Sequence, residues 1–174
     1  MDKRFIFNID ETAARSVHDS KYKAIVERLS PHHSQLISKG DTLTSIVPIV
    51  SADGGCWMIV YIYKSGKDSK TLKKLPFVTS TRHTRLNWPI LYCRTRTGQM
   101  NGTLWHSIAE SFAAIVRPHL RGSIACLFCD SLTSHTSLNT LRLLLTNDIH
   151  VVLFPPHTTS VLQPLDDAVF ASLK

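Results

Sequence analysis

Apolar and polar residues alternate near the amino end of the chain, which is the pattern of a β-strand with one buried face. The alternation places Phe5, Phe7 and Ile9 on the same side. Two further runs, residues 43–50 and 57–63, are rich in β-branched and aromatic side chains. The intervening Ser-Ala-Asp-Gly-Gly contains an Asp-Gly pair, a strong hairpin signal. We therefore predict a first strand followed by an antiparallel pair.

The spacing of apolar residues becomes helical in the second half of the chain. A helix is predicted over residues 104–116, where apolar side chains recur at intervals of three and four. Asn101 or Thr103 would cap its start, and Pro118 would end it. A second helix is predicted to begin at Thr136 or Ser137 and to place three leucines on one side: Leu138, Leu141 and Leu145.

The continuous apolar run at residues 124–129 is typical of a strand buried on both faces, and residues 149–154 are predicted to form another buried strand. A shorter run at 89–93 predicts an edge strand, whereas residues 11–39 are polar and irregular. The order strand, hairpin, helix, strand, helix, strand, helix favours an α/β fold with a mixed sheet. The length of 174 residues suits one domain.

The chain is basic, with a formal net charge of +7 and a pI of about 9.4. This balance favours a polyanionic partner, because cationic side chains bind phosphates and release counterions. Much of the charge lies between residues 64 and 96, which is either a DNA-binding segment or a solvated loop. Its candidate DNA contacts are Lys70, Lys73, Lys74, Arg82 and Arg85.

Neither a membrane nor a secreted location is indicated. No run approaches the roughly 18–20 apolar residues that span a bilayer, and the first residues show no secretory pattern. Cys126 and Cys129 have C-x-x-C spacing, but on a strand they point to opposite faces. With no second pair at zinc spacing, we interpret Cys126 and Cys129 as buried, small apolar residues in a reducing, intracellular compartment.

Three aspartates lie in short, unlike motifs. Asp10 and Asp130 each follow an apolar run, and Asp166 lies where a proline-rich loop meets a predicted helix. Carboxylates are hard oxygen ligands that suit Mg²⁺. Two such ions can hold the attacking and leaving oxygens of a phosphodiester. The three residues are therefore candidate metal ligands.

The sequences around these aspartates match three known motifs. Residues 8–13 read N-I-D-E-T-A against a pattern close to N-x-D-E-T-G, and residues 130–135 read D-S-L-T-S-H against D-N-x-x-S-H. Residues 155–166 hold every fixed position of P-P-H-T-T-x-x-x-Q-P-L-D. Over nearly its whole length the chain resembles the DDE superfamily endonuclease domain of the pogo, Tigger and jerky transposases, the group that contains centromere protein B.

The resemblance implies a ribonuclease H-like α/β fold, a mixed sheet flanked by helices, whose first and fourth strands are neighbours. It implies that Asp10, Asp130 and Asp166 are both the catalytic residues and the ligands of two Mg²⁺ or Mn²⁺ ions. The implied function is a transposase-type DNA endonuclease and strand transferase that acts in DNA recombination in the nucleus. Ala13 and Ser131 depart from the pattern. They favour the alternative, a catalytically inactive DNA-binding or interaction module derived from a transposase.

Other residues of the motifs have candidate roles. His135 would contact the scissile phosphate or a water, or would instead cap the following helix. His157 would line the approach to the site, and Gln163 would fix the loop. Glu11 is expected to point away, and the motif selects Asp166 over the adjacent Asp167. No G-x-S-x-G sequence is present, so a Ser-His-Asp hydrolase is not indicated.

We interpret residues 1–174 as one DDE-type catalytic core. Members of the family usually carry helix-turn-helix DNA-binding domains before this core, and here the chain begins at the first strand. A last helix starting at about residue 164 would be truncated at Lys174. DNA is the expected partner, and a homo-oligomer is left open.

Overall fold

The computed structural model describes residues 2–15, 43–64, 89–131, 135–155, 158, 162–166 and 170. In this part of the chain a short 3-10 turn precedes the first of seven strands, and two α-helices lie between later strands. The strands are β1 (Ile6–Ile9), β2 (Thr12–Arg15), β3 (Leu43–Ser51), β4 (Cys56–Lys64), β5 (Ile90–Thr95), β6 (Ala125–Cys129) and β7 (Ile149–Leu153). The helices are α1 (Gly102–Leu120) and α2 (Leu138–Thr146).

The seven strands form one mixed sheet, in which six lie in the order β5-β4-β3-β1-β6-β7 and β2 pairs with β3 outside this order. β3 pairs antiparallel with β4, as the hairpin signal predicts, and also with β1 and β2. The other pairs, β4 with β5, β1 with β6 and β6 with β7, are parallel. The predicted α/β class with a mixed sheet is therefore confirmed.

The β3–β4 turn owes its shape to Asp53 and Gly54. The Asp53 carboxylate accepts hydrogen bonds from the Ser51 hydroxyl and the Gly55 amide. Gly54 has a φ of +90°, a conformation that side chains with a Cβ rarely adopt. Local chemistry of residues 51–55 therefore sets the shape of the turn, and the Ala52 amide also donates to the Ile6 carbonyl of β1 at 2.8 Å.

The core lies between one face of the sheet and α1. Phe7 on β1 meets Phe112 edge to face, with ring centroids 5.1 Å apart. The buried residues of α1 recur at helical intervals and are Leu104, Trp105, Ile108, Ala109, Phe112, Ala113, Val116 and Leu120. The predicted cap is also present, because the Asn101 side chain accepts a hydrogen bond from the Leu104 amide at 2.9 Å. This packing holds β1 and β6 at the centre of the sheet.

The prediction that Pro118 ends the first helix is wrong, since α1 continues to Leu120. Proline removes the amide that would bond to the carbonyl of Ala114. Both Ala114 and Pro118 are exposed, so this carbonyl lies on the solvent side. Burial of Leu120 favours a further turn. The helix then ends at Arg121, whose φ is 48°.

Two predicted faces in the second half of the chain are also wrong. On α2 the residues turned to the core are Thr140 and Leu144, whereas Leu138 and Leu145 are 69% and 56% exposed. β7 is an edge strand in which only Ile149 is buried. Both errors have one cause: the neighbours of an element decide which side it buries.

β2 is a strand within residues that the sequence pattern indicated as irregular. Its pairing with β3 places Ala13 opposite Ser45. β5 confirms the predicted edge strand, and β6 is buried on one face and half-buried on the other. The predictions for residues 16–42 and for the last helix after residue 166, apart from Phe170, lie outside the described residues.

The four cysteines are free thiols. Cys129 is buried, as predicted, whereas Cys126 is only half-buried, because its side chain lies on the less covered face of β6. Burial raises the pKa of Cys93 and of Cys129 to about 12, so both stay protonated near neutral pH. No α-helix in the described ranges is long and apolar enough to cross a bilayer.

Candidate metal centre

Asp10 and Asp130 lie side by side at one edge of the sheet. β1 and β6 are parallel neighbours, with Asn8 opposite Phe128. Asp10 and Asp130 each follow this pair by two residues, so they occupy equivalent positions just past the ladder. Parallel strands lie about 4.8 Å apart, and their carboxyl ends meet at the same edge. The topology therefore brings together the two aspartates of the first and second motifs.

The surroundings of Asp10 raise the pKa of its carboxyl from 3.8 to about 6. Burial is the largest cause, because it disfavours the charged form. Hydrogen bonds from the Glu11 amide, at 2.8 Å, and from the Gln163 side chain oppose the increase. The negative charges of Asp166 and Asp130 add to it. All three motif aspartates are therefore near enough to interact electrostatically.

Asp130 is held by a buried histidine. His135 Nδ1 lies 2.6 Å from Asp130 Oδ1, and the histidine is 4% exposed. The Trp105 ring packs against the imidazole, with ring centroids 4.8 Å apart. His135 does not cap α2, because Ser137 occupies that position. The described contact of His135 is thus with the carboxylate itself, which it orients.

Asp166 comes from a segment anchored beneath the strand ends. Its amide donates a hydrogen bond to the Gln163 carbonyl at 3.2 Å. Gln163 and Leu165 are 3% and 1% exposed, whereas Asp166 is exposed. The buried residues hold the backbone, so the carboxylate is presented at the surface close to Asp10.

The donor set suits a hard divalent cation, since it consists of three carboxylates. As the described side chains stand, however, no three Asp, Glu, His or Cys residues form a complete metal-binding group. Like charges oppose close approach, by about 4 kcal/mol for two unit charges 4 Å apart near a protein surface. The carboxylates are neighbours, but they do not share one coordination shell.

Of the remaining predicted site residues, only Glu11 lies in the described part of the chain. Glu11 points away from Asp10, as expected, and its carboxylate accepts a hydrogen bond from the Met100 amide at 3.1 Å. His157 and Asp167 lie outside the described residues. So do the candidate DNA contacts Lys70, Lys73, Lys74, Arg82 and Arg85.

Sequence reasoning missed one residue of the site, Asn8. Its side chain reaches both the β6 backbone and Gln163. The available signal was a polar side chain in a strand whose neighbours, Phe7 and Ile9, are apolar and fully buried. Such a residue needs hydrogen-bond partners when it is buried.

Asp10→Asn should stabilise the protein at pH 8 and have little effect at pH 4, in metal-free solution. At pH 8 the folded state must hold a charged Asp10 whose pKa is raised, which opposes folding. As the pH falls below about 6, the folded state takes up the proton, and this cost declines until it is nearly gone close to the ordinary pKa of 3.8. After allowance for solvent screening we expect about 1–2 kcal/mol at pH 8. Urea unfolding of both proteins at each pH measures it, and equal differences at pH 4 and pH 8 would contradict the assignment.

Comparison with solved structures identifies the fold. The Mos1 mariner paired-end complex with Mn gives a TM-score of 0.58 at 16% identity, over 99% of this chain and 42% of that one. The Mos1 paired-end complex with the left transposon end gives 0.56 at 16%, over 98% and 41%. The Mos1 catalytic domain gives 0.52 at 13%, over 98% and 59%. The predicted ribonuclease H-like fold is confirmed, and the chain spans about two fifths of the first two Mos1 chains.

The family is shown by the sequence itself. No curated protein matches the chain. A family model described as DDE superfamily endonuclease matches residues 41–174, which include the second and third aspartate motifs. This match covers more than half of the chain. The fold of the chain agrees with that of the structural neighbours. The chain belongs to the DDE superfamily endonuclease family.

Proposed function

We propose that this chain is the core of a metal-dependent DNA nuclease and strand transferase, with Asp10, Asp130 and Asp166 as its catalytic carboxylates. One observation carries the proposal. The parallel pairing of β1 and β6 sets Asp10 beside Asp130, and Asp166 is near enough to raise the pKa of Asp10. Three carboxylates at one sheet edge have a chemical use if cations neutralise them.

The donor set fits two Mg²⁺ or Mn²⁺ ions, held by Asp10, Asp130 and Asp166. Such a pair would supply a more acidic water or hydroxyl as nucleophile and a counter-charge for the leaving oxygen. Residues of the chain itself position the carboxylates and set the pKa of Asp10. His135 holds Asp130 from the buried side, and burial raises the pKa of Asp10, so a nearby positive charge would favour its ionised form.

We also propose that the substrate is DNA and that the protein acts in the nucleus. Two of the Mos1 structures are a paired-end complex with the left transposon end and a paired-end complex with Mn, which supports DNA and divalent metal as the ligands of this core. Within the family, the complete third motif at residues 155–166 favours the pogo, Tigger and jerky group.

Ala13 and Ser131 depart from the family motifs, but their surroundings do not favour the alternative of an inactive module. Ala13 is exposed on β2, where an extended backbone needs no glycine. Ser131 is also exposed, and neither residue removes a carboxylate. Both departures leave the carboxylate positions intact.

Mn²⁺ should raise the melting temperature of the wild-type protein. A ligand that binds only the folded state at about 100 times its Kd contributes about 2.7 kcal/mol. For a domain of this size we expect an increase of about 5–10 °C. Asp10→Asn, Asp130→Asn and Asp166→Asn should each lose most of it, measured by thermal unfolding with and without Mn²⁺. An unchanged response in all three variants would refute the site.

A further inference from the structure

Asn8, in the first motif, contacts both β6 and the third motif from within the sheet. Phe7 and Ile9 face the core, so Asn8 points to the opposite face of β1. Its Nδ2 donates to the Phe128 carbonyl of β6 at 3.1 Å and to Gln163 Oε1 at 2.8 Å. One amide group therefore contacts the neighbouring strand and the segment of the third motif.

Gln163 completes the connection in a single orientation. Its Oε1 accepts from Asn8, which directs its Nε2 to the Ile9 carbonyl, at 3.1 Å. Gln163 is 3% exposed, so its amide depends on these partners and on the Asp10 carboxylate, to which it also donates. The bonded positions are close to all three aspartates: Ile9 precedes Asp10, Phe128 comes two residues before Asp130, and Gln163 comes three before Asp166.

The pair is poorly suited to a role in stability alone. Asn8 Oδ1 is buried and has no hydrogen-bond partner among the described residues. A buried unsatisfied acceptor costs about 1–3 kcal/mol, which offsets much of what two neutral hydrogen bonds contribute. Apolar side chains of similar size at both positions would avoid that cost. What Asn8 adds, and an apolar residue cannot, is a fixed direction for Gln163.

We propose that Asn8 and Gln163 are a positioning pair, which holds the Asp166 segment against the carboxyl ends of β1 and β6 so that the three carboxylates can share divalent metal. The inference rests on the proposed function, because it assigns the pair a role in metal affinity. Neither side chain is a metal ligand in this assignment. Residues that orient metal ligands typically change metal affinity by about 10–100-fold when they are replaced.

Gln163→Met tests the pair, because methionine keeps the length of the side chain and removes its hydrogen bonds. We expect the Kd for Mn²⁺ to rise about 10–100-fold, measured without DNA by the EPR signal of free Mn²⁺. Gln99→Met is the matched control, since Gln99 is exposed in the loop before α1, and its Kd should equal that of the wild type. Far- and near-ultraviolet circular dichroism verifies that each variant is folded at the temperature of the titration.

Asn8→Leu gives a second route to the same result. It removes both donors together with the unpartnered acceptor and leaves the β1 backbone ladder intact, so we expect it to fold. Its Kd for Mn²⁺ should rise as in Gln163→Met. An unchanged Kd in the folded variants, with binding by the wild type, would overturn the positioning role alone. Absence of Mn²⁺ binding by the wild type would instead overturn the proposed function, and the positioning role with it.

Discussion

Asp130→Asn should lower Mn²⁺-dependent cleavage of DNA by at least about 100-fold. Loss of a single group that stabilises charge in a transition state typically costs about 100- to 1,000-fold in rate. Asparagine keeps the shape of the side chain and an oxygen that can accept the hydrogen bond from His135, but it lacks the negative charge. The loss would therefore reflect the charge of the carboxylate and not a collapse of the site.

The measurement is the rate of nicking of a supercoiled plasmid in Mn²⁺, with purified wild type and variant. Asp148→Asn is a matched control that removes one carboxylate elsewhere. Asp148 is exposed and has a φ of 62°, a left-handed conformation that asparagine tolerates well. We expect wild-type rates from this control. Equal nicking by wild type, Asp130→Asn and Asp148→Asn would show that the activity does not come from this site.

Replacing Lys70, Lys73 and Lys74 together by alanine should flatten the salt dependence of duplex DNA binding. Each lysine that contacts a phosphate contributes about 0.9 to the slope of log affinity against log salt. The triple variant should therefore lower the slope by up to about 3. Sequence preference should stay the same, because phosphate contacts position a protein on DNA without specifying bases.

A control variant that loses the same number of positive charges elsewhere distinguishes phosphate contacts by the three lysines from an effect of total charge. The triple variant Lys3→Ala, Arg117→Ala and Arg142→Ala also removes three positive charges, all from exposed positions outside the basic segment. Binding is measured by fluorescence anisotropy across a salt series. We expect a steeper slope for this control than for the lysine variant. Equal slopes in the wild type and the lysine variant would show that residues 64–96 are a solvated segment.

Elements whose structure depends on nearby residues were predicted correctly. The β3–β4 hairpin follows from the Asp53–Gly54 turn, and the start of α1 follows from the Asn101 cap. In both cases the bonds that set the geometry join residues two or three positions apart. The aspartate motifs are likewise local in sequence, so the candidate ligands could be named without a structure.

Errors arose where the position of an element in the fold decides the outcome. The apolar run of β7 resembles a central strand, but no described strand pairs with its outer edge. The leucines of α2 form a stripe in sequence, yet the side facing α1 and β7 buries Thr140 and Leu144 instead. Pro118 is tolerated because its missing hydrogen bond lies on the exposed side of α1. In all three cases the outcome depends on which residues surround the element in the fold, and the local sequence pattern does not specify them.

The sequence by itself determined the fold class and the family motifs, and it named the three candidate carboxylates, because each depends on residue type and short spacing. Tertiary structure decided how these residues meet. Parallel pairing of β1 with β6 joins segments about 120 positions apart and sets Asp10 beside Asp130. The Asn8–Gln163 hydrogen bond spans 155 positions. The raised pKa of Asp10 exists only because folding buries that carboxyl and brings two like charges near it.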